Sequence, residues 1–328
     1  MVKTDLFDTR PKVKKSRLNR LPVNPEKNDP QKAVGIGRFP SWLHRKLPKG
    51  SGLRQTEEIV HGNKLNTVCA EAKCPNLLEC WSKKTATFLI MGNECTRSCG
   101  FCDIDFSRKP KPLDTDEPLR VAESAKQLNL KHVVITMVAR DDLPDGGAQH
   151  LANVMIEIRR QISRTTLEVL TSDFMGNQEA LDVIIDAQPE IFNHNIETVR
   201  ELTPRVRHTV TYDRTLRVLR YFNTHKTCSS VLIKSGLMVG LGETHEQVQQ
   251  TIRDLKNVGC DIITIGQYLQ PNHHKLLVKK FVPPEEFKEY EDFGHSIGIK
   301  HMFCGPFSRS SYNADMVLNL ENAVENDL

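Results

Sequence analysis

The chain has 328 residues, 26% of them charged and 38% hydrophobic, with a formal net charge of +4. That length buries a core in one large domain or two small ones, and the composition excludes disordered and collagen-like classes. No apolar run approaches the roughly 20 residues that span a bilayer, and the N-terminus lacks the apolar core of a secretory signal, so the expected location is cytoplasmic, without membrane contact.

Charge is unevenly spread. Residues 1–50 hold 13 Lys/Arg against 4 Asp/Glu, and the rest holds 32 against 37. Pro11, Pro22, Pro25, Pro30, Pro40 and Pro48 break any helix there, so the stretch reads as an extended, solvated basic arm. The alternative is contact with nucleic acid or an acidic protein. Asp5 and Asp8 interrupt the basic run and argue against a transit peptide. Within "PSWLHRKLPKG", Trp42 and Leu43 offer apolar docking anchors. Residues 51–85 read as a loop-rich segment carrying Cys69, Cys74 and Cys80.

From residue 86 a rhythm begins. "TATFLIMG", "HVVITMV", "LEVLTSD", "EIFNHNI", "SGLMVGL" and "DIITIGQYL" read as buried parallel strands. Between them lie helical patterns, among them "LRVAESAKQLNL", "NQEALDVIIDA" and "HEQVQQTIRDLKNVG". The alternation predicts an α/β fold, a six-stranded partial (β/α) barrel over residues 86–285, followed by a C-terminal helix and tail over 286–328. Polar residues follow each strand, where such barrels carry their chemistry: Asn93 and Glu94, Arg140 to Asp142, Asp173, Asn195 and Glu197, Glu243, Gln267 and Gln270.

Six of the nine cysteines form two groups of three. Cytoplasmic location and tight clustering point to metal rather than disulfides. "CTRSCGFC" places Cys95, Cys99 and Cys102 on one tight loop, with Gly100 letting the chain wrap closely. Three thiolates hold three irons of a cubane and leave the fourth open to a substrate or cofactor, because no fourth cysteine lies within this loop. Zinc is the rival ion, although its usual pattern is two C-x2-C pairs.

"CTRSCGFC", with a strand just upstream, resembles the cluster loop of radical S-adenosylmethionine enzymes. The first triplet, in C-x4-C-x5-C, makes the chain resemble the lipoyl synthase family. So do "GNECTRSCGFCDI", "RDDLPDGGAQH", "FNHNIET", "PRVR", "KSGLMVGLGET", "TIGQYLQP" and "CGPFSRSSYNAD", in order across roughly residues 36–316. The resemblance implies two 4Fe–4S clusters and S-adenosyl-L-methionine, whose cleavage gives a hydrogen-abstracting radical. Cys95, Cys99 and Cys102 would hold one cluster. Cys69, Cys74 and Cys80 would hold an auxiliary cluster whose fourth ligand is a serine of "RSSY", assigned to Ser311 with Ser310 the alternative. An alkoxide is a hard donor on a site of soft thiolates, which suits a cluster consumed as the sulfur source. The implied reaction inserts sulfur at carbons 6 and 8 of a protein-bound octanoyl-lysine.

Implied partners are octanoylated carrier domains of 2-oxoacid dehydrogenases or the glycine cleavage H protein, a flavodoxin or ferredoxin reductant, and an iron–sulfur carrier. No nucleic acid is expected. Asp141 and Asp142, with Asp142 preferred, are the candidates for the amino group of S-adenosylmethionine; the alternative is helix capping with a glycine turn at Asp145, Gly146 and Gly147. Asn195 and Glu197 are the candidates for the ribose or amino acid part of that cofactor. Arg309 either assists serine release or caps a helix. Gly240 and Gly242 are expected where backbone approaches a ligand. His194 reads as a satisfied structural histidine, and Cys228, Cys260 and Cys304 as small buried hydrophobes. The chain departs from the family pattern at Met137, Ala139, Ser172 and Met175. The rival enzymes are a biotin synthase or a methylthiotransferase; outside enzymes, the rival is a two-cluster electron carrier.

Overall fold

The computed structural model describes residues 39–44 and 52–311. Most of the basic arm therefore lies outside the described residues. Of its docking segment, Leu43 is buried while Trp42 is exposed, and Phe39 meets Phe281 edge-on with ring centroids 5.7 Å apart.

The strands are β1 (Asn66–Thr67), β2 (Thr87–Ile90), β3 (Glu94–Cys95), β4 (Asp105–Phe106), β5 (His132–Met137), β6 (Thr166–Leu170), β7 (Ile191–Asn193), β8 (Leu232–Val239), β9 (Ile262–Gln267) and β10 (His301–Gly305). The α-helices are α1 (Gly52–Gly62), α2 (Val68–Glu71), α3 (Leu77–Ser82), α4 (Glu117–Gln127), α5 (Ala148–Gln161), α6 (Gln178–Asp186), α7 (Thr203–Val206), α8 (Tyr212–His225), α9 (His245–Asn257) and α10 (Pro284–Ser296). β3 and β4 pair with each other; the rest form one sheet in the order β1-β2-β5-β6-β7-β8-β9-β10. Every pairing from β2 to β10 is parallel, and β1 runs antiparallel to β2. The sheet is an open, partial barrel with β1 and β10 as its edges.

Burial on both faces explains the near-continuous apolar runs of β2, β5 and β9: helices cover one side and the barrel interior fills the other. On α5, Leu151, Val154, Met155 and Ile158 recur at helical spacing and are all buried. Phe192 of β7 stacks on Phe222 of α8 at 3.7 Å between centroids. Each such fully buried side chain stabilises the fold by about 1.5–3 kcal/mol. α9 starts in a capping box, with Thr244 accepting from Gln247 N and Gln247 accepting from Thr244 N.

Three sequence expectations are corrected. Residues 52–82 are largely helical rather than loop-rich, because α1 turns Thr56 and Val60 inward and the short α2 and α3 close around Trp81. Helices of four and six residues are too short to show a period. The segment after α10 is also more than a tail: β10 adds a seventh parallel strand, with Cys304 opposite Ile265. Cys260 is a buried core residue and Cys304 packs against the core, but Cys228 is exposed. Among the described residues no helix is long and apolar enough to cross a membrane.

Candidate active site and metal centres

At the C-terminal ends of the parallel strands lies one cavity of about 490 Å³. Its lining includes Cys95, Cys99 and Cys102 of the second triplet, Cys74 of the first, and Ser308 to Ser311. The loop carrying the second triplet leaves β2 through Met91 and Gly92, both left-handed at φ 69° and 85°. Glu117 holds that turn, accepting from Met91 N at 2.8 Å and pairing with His150 Nε2 at 2.7 Å. Gly100 donates to Val206 O, and a Cβ on it would stand 3.0 Å from Leu276.

Arg97, between the first two cysteines of that loop, is the clamp. Its guanidinium makes a two-pronged bond to Asp141 at 2.8 and 2.6 Å and reaches Asp173 at 2.6 Å. Burial opposes ionisation of Asp173, but the positive charge of Arg97, with His194 and Arg214 adding to it, holds its carboxyl down to about 2. The Arg97 N–H also points to Cys95 Sγ at 3.4 Å, the kind of contact that tunes a cluster's potential. Replacing Arg97 with alanine leaves Asp173 buried with Arg214 as its remaining ion-pair partner. The expected cost is about 3 kcal/mol, read as a lower urea midpoint of the apoprotein. An unchanged midpoint would show that the clamp contributes nothing.

The first triplet is built from α2 (Cys69), the following turn (Cys74) and α3 (Cys80). These side chains share a cluster with Trp81 and Ala86. Burial pushes the Cys69 thiol up to about 11 and the Cys80 thiol up to about 12, with charge repulsion inside the triplet adding to both. Cys99, at about 12, and Cys102, at about 11, rise for the same reasons. Thiols held protonated in this way must lose their protons for metal to enter. Among the described residues no three His, Cys, Asp or Glu side chains converge on a single-ion site. Two contacts join the pieces. Asn76 Nδ2 donates to Phe307 O at 2.8 Å, and Lys73 pairs with Asp103 at 2.7 Å.

Asn195 and Glu197 line the cavity; Asp142 does not, its carboxylate being taken by neighbouring Arg140 at 2.8 Å through both oxygens. Asn195 Nδ2 donates to Glu197 Oε1 at 3.1 Å. Burial raises the Glu197 carboxyl, against the opposing charge of Arg207, and its backbone is left-handed at φ 66°. His194 is satisfied as anticipated, Nδ1 facing Thr171 O and Nε2 facing Thr215 Oγ1, and burial pushes it down to about 4. Arg309 folds back on its own segment, Nη1 donating to Ser308 O at 2.7 Å.

Gly240 and Gly242 are not in the cavity. Their loop is organised by Glu243, which accepts from the Gly240 and Leu241 amides, and a Cβ at Gly240 would collide with Gln267 and Lys280. Gln267 itself is spent on backbone groups of Val239, Tyr268, Lys280 and Val282. Of the departures from the family pattern, Met137, Ala139 and Ser172 line the cavity, whereas Met175 is exposed and left-handed at φ 54°.

Residues 89–255 match the model of the radical SAM superfamily. A lipoyl synthase of Protochlamydia amoebophila (strain UWE25) is 63% identical over 320 residues, 98% of this chain and 98% of that one. The chain belongs to the lipoyl synthase family. A further lipoyl synthase, from Chlamydia felis (strain Fe/C-56), is 49% identical over 92% of this chain and 96% of its own. Among solved structures, Streptococcus suis SuiB bound to S-adenosylmethionine superposes with a TM-score of 0.53 at 14% identity, covering 66% of this chain and 49% of that one. That likeness shows the fold.

Sequence reasoning missed Arg207, although "PRVR" contains it. It lines the cavity with its guanidinium buried; Nη1 donates to Asn195 O at 2.9 Å and Nη2 to Thr215 Oγ1 at 2.6 Å. Its Nε has no hydrogen-bond partner among the described residues. A buried donor left unmade is costly, so the site suits an anionic group that would take it.

Proposed function

We propose that the six clustered cysteines divide between two cubanes, Cys95, Cys99 and Cys102 holding one, and Cys69, Cys74, Cys80 and Ser311 the auxiliary one. The chain is a sulfurtransferase of the lipoyl synthase family, inserting sulfur at carbons 6 and 8 of a protein-bound octanoyl-lysine. Its cofactors are two 4Fe–4S clusters and S-adenosyl-L-methionine, which together supply the electron, the hydrogen-abstracting radical and the sulfur when bound. The observation that carries the site assignment is the shared cavity: the three thiols of the second triplet, Cys74 of the first and the serine segment line one space.

The donor set fits. Asn195, Glu197 and the unmade Arg207 Nε offer both acceptors and a donor to the polar end of S-adenosylmethionine. Met137, Val138, Ala139, Leu237, Met238 and Leu269 give the same cavity an apolar lining suited to an octanoyl chain. Arg97 keeps the cysteine loop pinned to the barrel, and the apolar wall excludes water from the reacting carbon. The substrate is an octanoylated lipoyl carrier protein; we assign the dehydrogenase subunits and the glycine cleavage H protein as carriers. The reductant would be a flavodoxin or ferredoxin, an iron–sulfur carrier would rebuild the auxiliary cluster, and the compartment would be the cytoplasm.

The test is a single turnover with an octanoyl-lysyl peptide, scoring lipoyl product against 5′-deoxyadenosine. Ser311→Ala should spare the first cleavage of S-adenosylmethionine and lose most of the sulfur delivery. Equal loss of both would overturn the assigned role.

A further inference from the structure

Two glycines of the sheet let the serine-bearing segment lie directly on the strands. At Gly236 of β8 a Cβ would stand 2.8 Å from Ser310 Oγ and 2.9 Å from Asn195 Oδ1. At Gly266 of β9 it would stand 2.1 Å from Ser308 O. Glycine inside a strand weakens it, and it is used where another backbone must come close. In the room this leaves, Ser310 Oγ donates to Asn195 Oδ1 at 2.9 Å, across 115 positions of sequence.

The side-chain Nδ2 of Asn195 donates to Glu197 Oε1, and its backbone carbonyl accepts from Arg207 Nη1. One side chain therefore touches the serine segment and the polar wall beside the second triplet. We infer that Ser310 is a positioning residue: its bond to Asn195 latches residues 306–311 across the barrel mouth and so presents Ser311 to the first triplet. The inference rests on the reading of Ser311 as ligand. A single hard donor on an otherwise thiolate site dissociates readily. A latch one residue away keeps that donor at high local concentration, so that it rebinds rather than wanders. Asn76, between Cys74 and Cys80, ties the other end of the same segment at Phe307 O.

The test loads both clusters into the full-length chain and follows anaerobic iron loss to a chelator. Ser310→Ala and Asn195→Ala should each speed loss of the auxiliary iron about fivefold, the effect of one neutral hydrogen bond. Iron of the Cys95 group should leave Ser310→Ala at the wild-type rate, which a general loosening of the fold would not allow. Because both changes remove the same bond, the double variant should lose auxiliary iron no faster than the faster single; multiplied effects would overturn the latch. Ser311→Ala separates the two readings. Faster auxiliary loss in Ser311→Ala with none in Ser310→Ala sinks the latch alone, whereas no change in Ser311→Ala sinks the ligand assignment and the latch with it. Should Asn195→Ala fail to fold, the apoprotein of Ser310→Ala carries the test by trypsin cleavage after Arg309. Faster cleavage supports the latch, and an unchanged rate overturns it.

Discussion

Replacing Cys69, Cys74 and Cys80 together with alanine should halve the iron of the reconstituted protein, from about eight to about four atoms per chain. Lipoyl product should vanish while 5′-deoxyadenosine still forms. The physical reason is separation. The first triplet sits in its own small cluster with Trp81 and Ala86, outside the main core. The loop of Cys95, Cys99 and Cys102 is pinned independently, by Arg97 to Asp141 and Asp173 and by Gly100 to Val206. Emptying one pocket therefore leaves the other's scaffold standing. Replacing Cys95, Cys99 and Cys102 should instead abolish both products while leaving about four irons. Iron quantification and a product assay on the two triple variants decide it. Loss of all iron from the first variant would show that the centres are not independent and would undo the division of labour.

The six buried strands and the cysteine loop are legible in the sequence because each is local: an apolar run bounded by turn residues, or ligands packed into a short stretch. β10 is not, because with Met302 its one buried residue the run carries no period, and only the open edge of β9 makes it a strand. The same blindness covers the clamp. Arg97 and Asp141 stand 44 positions apart, and nothing near either names the other. Asp142 illustrates the cost: chain position puts it at the mouth, yet Arg140 two residues away captures it. Glycines mislead in the same way. Gly240 and Gly242 sit in a recognisable turn that serves the loop, while Gly236 and Gly266, plain strand residues by sequence, are those on which the serine segment rests. Long-range partners decide these cases, and single-sequence patterns do not contain them.

Lys234→Met should be among the most destabilising single changes in the barrel, and it lies outside the cavity lining. Lys234 of β8 reaches both carboxylate oxygens of Glu168 on β6, at 2.9 and 3.0 Å, with both side chains almost wholly buried. Asn193 of β7 donates to the same carboxylate at 2.9 Å, and His132 Nε2 lies 3.8 Å away. Side chains alternate along a strand, so Lys234 shares a face with Gly236 two residues on, and Glu168 with Leu170. Gly236 and Leu170 both line the cavity, which puts the ion pair one layer beneath its floor. Burial alone would favour a neutral Glu168, but the charge and hydrogen bonds of Lys234, with His132 adding to them electrostatically, hold its carboxyl below the usual range. Removing the lysine strands that charge, at a cost of about 3–5 kcal/mol against a total stability of roughly 5–15 kcal/mol. Removing both charges, as Glu168→Gln with Lys234→Met, avoids the stranded ion, so the double variant should be more stable than Lys234→Met alone. Urea midpoints of the apoproteins measure this, and turnover per loaded enzyme should change far less than stability does. Lys234→Met as stable as the parent would mean that Glu168 is neutral in the folded chain, and that the polar layer is held by hydrogen bonds rather than by charge.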